Sequence, residues 1–112
     1  EGLRERIRKH IRMAQWLENQ VRLQPGFELM APRSLNVVCF RYNPGEPTDL
    51  AGLNRLNMEL KETLNGQGSI YLTHTKVNDC ITLRMVIAQT DVEQQHVEKA
   101  WEHIRNTAHR LE

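Results

Sequence analysis

Five histidines, four lysines, two cysteines and two serines are the residues with which this 112-residue chain could do chemistry, and their spacing decides against most of it. His96 and His103 fall on one helical stretch seven residues apart. That separates them by about 10 Å along the axis, too far to share an ion whose ligands each lie about 2 Å away. Gly66-Gln67-Gly68-Ser69 has the glycine density of a phosphate cradle. It follows a helix and precedes a strand, however, whereas backbone N–H groups converge on an anion where a loop opens a helix, so it reads as a turn. Ser34 and Ser69 lie outside any G-x-S-x-G elbow, which leaves a Ser/His/Asp hydrolase without local support. Arg4, Arg6, Arg8, Lys9 and Arg12 could meet phosphates on RNA or a membrane surface. Glu1 and Glu5 dilute that charge and Glu5 to Lys9 is a favourable i,i+4 pair, so the segment reads as a solvated helix face.

The totals bound the rest. Fifteen basic against fourteen acidic residues leave a net charge of +1, which supplies no global field for nucleic acid or anionic lipid. One domain is expected, residues 1–112, with a single modest core. No apolar run approaches the roughly 20 residues that cross a bilayer, and the N-terminus has neither an initiator Met nor a signal-peptide core. A soluble chain that begins partway through a longer reading frame is the expectation. Cys39 and Cys80 lack the number and spacing of a disulfide framework or a zinc knuckle, which fits a reducing, cytoplasmic setting.

Leu3, Ile7, Ile11, Ala14, Leu17 and Val21 recur at steps of three and four and predict an amphipathic helix over residues 2–23, its stripe in the core. Gln24-Pro25-Gly26 stops it. A short strand over residues 27–30 and a stronger one over 35–42 are expected to pair as a hairpin. Thr48 or Asp49 can cap a second helix carrying Leu50, Leu53, Leu56, Leu60 and Leu64, and Asn65-Gly66 is expected to end it in the left-handed conformation. Strands over residues 70–77 and 81–88 flank Asn78-Asp79, a pair that tolerates positive φ in a tight turn. Thr90-Asp91-Val92-Glu93 is a capping-box pattern opening a third helix, with Val97, Ala100, Trp101, Ile104, Ala108 and Leu111 on one side. The order α-β-β-α-β-β-α predicts an α+β fold, a four-stranded and mainly antiparallel sheet with three helices on one face.

The other face is then bare. Val37-Val38-Cys39-Phe40 is apolar on both sides at once, since successive strand residues point to opposite faces. The uncovered face should present Arg84 and Val86, together with either Val38, Phe40 and Tyr42 or their neighbours. Such a surface suits an interdomain contact, and an isolated chain is expected to self-associate through Val38 or Phe40 and their neighbours. Trp16, beside its stripe, is expected to touch a neighbouring domain.

Gly2-Leu3-Arg4 with Ile7-Arg8-Lys9-His10, Phe27-Glu28, Val38-Cys39-Phe40-Arg41, Thr73-His74-Thr75, Leu83-Arg84, and His96-Val97 with Ala100-Trp101-Glu102-His103-Ile104 together set a pattern. In order and spacing it resembles the C-terminal domain of the pyridoxal-phosphate-dependent amino-acid decarboxylases of group II, the aromatic-L-amino-acid decarboxylase branch above all. The resemblance implies the small domain of a homodimeric fold-type-I carboxy-lyase, leaning on a large cofactor-binding domain of the same polypeptide that is absent from this chain. The family's reaction turns an amino acid into its amine on pyridoxal phosphate held by a lysine. That lysine follows a histidine directly, whereas Lys9, Lys61, Lys76 and Lys99 follow Arg8, Leu60, Thr75 and Glu98. No catalytic or cofactor-binding residue is therefore assigned here, no cofactor or metal is expected to bind, and the chain alone is expected to be inactive. Arg84, His74 and Phe40 are the candidates for an interdomain or cleft contact. The rival reading is a free-standing α+β ligand-binding or regulatory module that pairs with itself through its sheet.

Overall fold

The computed structural model describes residues 2–45, 49–66, 72–87 and 92–111. Along the chain run α1 (Gly2–Leu23), β1 (Phe27–Leu29), β2 (Val37–Tyr42), α2 (Leu50–Gly66), β3 (Thr73–Val77), β4 (Cys80–Val86) and α3 (Gln94–Leu111), the order expected from the sequence. The strands form one antiparallel sheet in the order β1-β2-β4-β3, two hairpins joined through their second strands.

Local chemistry explains the junctions. Gly26 turns the chain out of α1 at φ 89°, a left-handed conformation that favours glycine, and a Cβ there would crowd the Tyr42 ring at 3.1 Å. Asp49 caps α2: its Oδ2 accepts from the Gly52 N–H at 3.1 Å and its carbonyl from the Leu53 N–H at 3.0 Å. Thr48, the alternative cap, lies outside the described residues. Asn78 and Asp79 both take positive φ, 53° and 67°, and close β3 on β4 as the sequence predicts.

Strand ends shift by a residue or two, with Met30, Leu72 and Ile87 outside the strands and Cys80 inside one, and three further boundaries differ from expectation. Leu35 belongs to a turn, with φ 53°, because Ser34 and Val37 exchange two backbone hydrogen bonds around it. Gly66 stays within α2 and takes no left-handed conformation. The chain is redirected instead by the Asn65 side chain, which accepts from the Leu72 N–H at 2.7 Å and donates to its carbonyl at 2.9 Å. Glu93 precedes α3 rather than lying in its first turn, and the His96 ring reaches back to accept the Glu93 N–H at 2.9 Å, the part a Glu plays in a capping box. Thr90 and Asp91, and the outer ends of the expected strands at residues 70, 71 and 88, lie outside the described residues.

All three helices cover one face of the sheet. Val38, Phe40 and Tyr42 of β2 and Ile81, Leu83 and Met85 of β4 point into that layer. Trp101 anchors it, with the Phe27 ring 4.9 Å away and the Phe40 ring edge-on at 6.4 Å. Asn57 is buried in the same layer, accepting from the Tyr42 N–H at 2.8 Å and donating to the Tyr42 carbonyl at 3.0 Å. Asn54 does the same for the hairpin end, bonding the Asp79 carbonyl and the Ile81 N–H. With Asn65, these asparagines tie α2 to three separate chain ends.

The expectation that the whole α1 stripe is core fails at its start. Leu3 and Ile7 are 67% and 51% exposed, and burial sets in only at His10 and Met13. The first two turns of α1 thus run past the residues that pack on the rest of its stripe. Lys9 pins the overhang to the start of α3 through Glu93 at 2.7 Å.

Candidate functional site

The site is the side of the sheet that no helix covers. Register decides its membership. Phe40, Leu83 and His74 form one cross-strand row on the helix side, and Cys39, Arg84 and Thr73 form the adjacent row on the open side. The next row sets Val37 against Val86. Of the two alternatives left by the sequence, Val37, Cys39 and Arg41 are therefore the β2 residues on the open face, joined by Arg84 and Val86 as expected.

The three candidate residues do not come together. Arg84 sits half-buried in the middle of the open face, and no described residue forms an ion pair with it. Phe40 is 0% exposed in the core, because the pleat that puts Arg84 outside puts Phe40 inside. Val38 is equally buried, so neither can mediate self-association. His74 lies on the helix side of the edge strand β3, where its Nδ1 is 3.0 Å from the Lys61 ammonium on α2. Trp16 is part-buried against the core and lines an open groove with Trp101 and Arg105.

The open face is part apolar and part charged. Val37 and Cys39 are half-buried and Val86 is 48% exposed. Arg41 lies flat along the sheet, bonded through Nε to Glu28 at 2.7 Å, and the second Glu28 oxygen accepts from the Asn43 amide at 3.1 Å. Arg41 is thus neutralised locally, while Arg84 has no ion-pair partner among the described residues. Glu28 and Arg41 were legible as cross-strand partners only once β1 and β2 were in register.

Whether the chain can hold a cofactor turns on its lysines. Lys9, Lys76 and Lys99 each line an open groove, and no aspartate lines any of the three. Lys61 is engaged with His74, Asp49 caps α2 and Asp79 occupies a hairpin turn. Pyridoxal phosphate needs an imine-forming lysine beside a carboxylate for the ring nitrogen; the carboxylates that share these grooves are Glu5 with Lys9, Glu98 and Glu102 with Lys99, and Glu59 and Glu62 with Lys76. No group of His, Cys, Asp and Glu among the described residues could hold a metal ion, and no helix among them is long and apolar enough to cross a membrane.

No family model matches the chain. The chain is 40% identical over 110 residues to a tryptophan decarboxylase of Camptotheca acuminata, covering 98% of this chain and 22% of that protein. It is 34% identical over 113 residues to a phenylacetaldehyde synthase of a Rosa hybrid cultivar, with 96% and 22% covered. Among solved structures, Oryza sativa TDC with PLP and tryptamine superposes at a TM-score of 0.89 with 34% identity, over 96% of this chain and 23% of that one. The chain thus spans about a fifth of the length of the relatives it matches. On this likeness the chain belongs, as a C-terminal segment, to the aromatic-amino-acid branch of the group II pyridoxal-phosphate-dependent decarboxylases.

Proposed function

We propose that this chain is the small domain of a cytoplasmic, homodimeric carboxy-lyase that converts an aromatic or related L-amino acid to its amine, and that the open sheet face lies against the cofactor-bearing domain. One observation carries the reading: nearly the whole chain aligns with about a fifth of a decarboxylase, and one side of its sheet is left without cover. The lysine that holds pyridoxal phosphate belongs to the remainder of the parent polypeptide, and the chain alone is inactive. Val37, Cys39 and Val86 exclude water from the domain boundary, where ligand sites often form. Arg84, central on that face and without an ion-pair partner among the described residues, supplies a guanidinium to an anionic group at the boundary, whether a side chain of the large domain or the substrate carboxylate.

The test has two arms. Purified chain mixed with pyridoxal phosphate is expected to show no stoichiometric visible band and no carbon dioxide release from aromatic amino acids; both together would overturn the assignment of an inert domain. In the parent, Arg84→Ala is expected to lower kcat/KM by at least about tenfold, and Arg84→Lys to recover only part of it. Product analysis separates amine from aldehyde, since relatives of both kinds match. The rival, a free-standing self-pairing module, requires a natural polypeptide of 13.1 kDa. A mass several times larger removes it.

A further inference from the structure

Leu3 and Ile7 continue the line of α1 that Ala14, Leu17 and Val21 bury further along, so the overhang shows solvent the side of the helix that is elsewhere packed. Around them stand Arg4, Arg6, Arg8, Lys9 and Arg12 against Glu5, and of these cations Lys9 alone has an acidic partner among the described residues. We propose that the first two turns of α1 are a second docking surface, seated in an apolar groove with an acidic rim on the larger part of the same parent polypeptide. This rests on the small-domain reading above.

Charge and length choose the occupant. A second copy of the overhang would bring the same cations face to face, and the chain as a whole has net charge +1, which offers no acidic field. A lipid surface suits a helix whose entire apolar face is free, whereas here the stripe passes into the core after Ile7. A stripe continuous with a packed core is completed by another protein element packed beside it, at about 8–10 Å between axes if it is a helix. The relatives carry roughly four fifths of their length outside the matched segment, which is ample to supply that element.

Thiol labelling of the full-length parent, read peptide by peptide, tests this. Ile7→Cys is expected to react at least about tenfold more slowly than Glu5→Cys on the opposite side of the same turn, and to speed up as salt weakens the rim. Equal rates overturn the proposal. Protection that appears only with phosphatidylserine vesicles, or only as protein concentration drives self-association, overturns it in favour of a membrane or a second copy. Val86→Cys reports the sheet face separately. If it is slow while Ile7→Cys is fast, the overhang proposal alone fails; if it is fast, the docked-face reading fails. Amide hydrogen exchange across residues 3–9 of the unsubstituted parent tests the same contact without a variant: slow exchange supports docking and rapid exchange overturns it.

Discussion

Asparagine 57 shows how one side chain can hold two layers together. It satisfies both backbone groups of Tyr42 from within the core, where neither can turn to water. Removing it takes away two buried hydrogen bonds to the Tyr42 backbone at once. Asn57→Ala is therefore expected to cost about 3 kcal/mol, read as a lower urea midpoint. Arg84 poses the opposite case. It has no ionic partner among the described residues, so its truncation should be felt chiefly where something meets the open face. The contrast separates a residue that builds the fold from one that the fold displays.

Among the elements, α2 depends most on its ends. Its first turn carries no acidic residue, so the Asp49 side chain just before it supplies the capping acceptor and a charge favourable to the helix dipole. Asp49→Ala is expected to lower stability by about 1 kcal/mol with the slope of the urea transition unchanged. Asp49→Asn should retain most of it, since an amide oxygen can still accept from the Gly52 N–H. The last turn of the same helix is tied down by the Asn65 side chain on the Leu72 backbone rather than closed by a left-handed glycine, and α3 begins with a histidine reaching back to Glu93. Side-chain amides and an imidazole thus do at these ends what the commoner capping patterns do elsewhere.

At the level of the molecule, three helices cover one side of a four-stranded sheet and leave the other open. Substitution on the open side should therefore have two very different costs. Val86→Asp is expected to change the stability of the chain itself by less than about 0.5 kcal/mol, because Val86 is already 48% exposed. In the parent it would bury a carboxylate against apolar neighbours, and a loss of at least about 2 kcal/mol is expected, seen as an earlier thermal transition. Equal effects in the two settings would argue that nothing packs on Val86.

The sequence by itself determined the order of elements, the hairpin turn at Asn78-Asp79, the stop at Gly26 and the existence of an uncovered sheet face, because periodicity and φ preferences are local properties. It also picked out Arg84 and Val86 for that face, since alternation along β4 is unambiguous. Tertiary structure alone decided which half of Val37-Val38-Cys39-Phe40 faces outward. Both halves are apolar, so only cross-strand register with β4 could break the tie, and it sent Phe40 into the core. It alone decided, too, where α1 leaves the body, because a helical stripe records amphipathicity but not how far the surface it packs against extends.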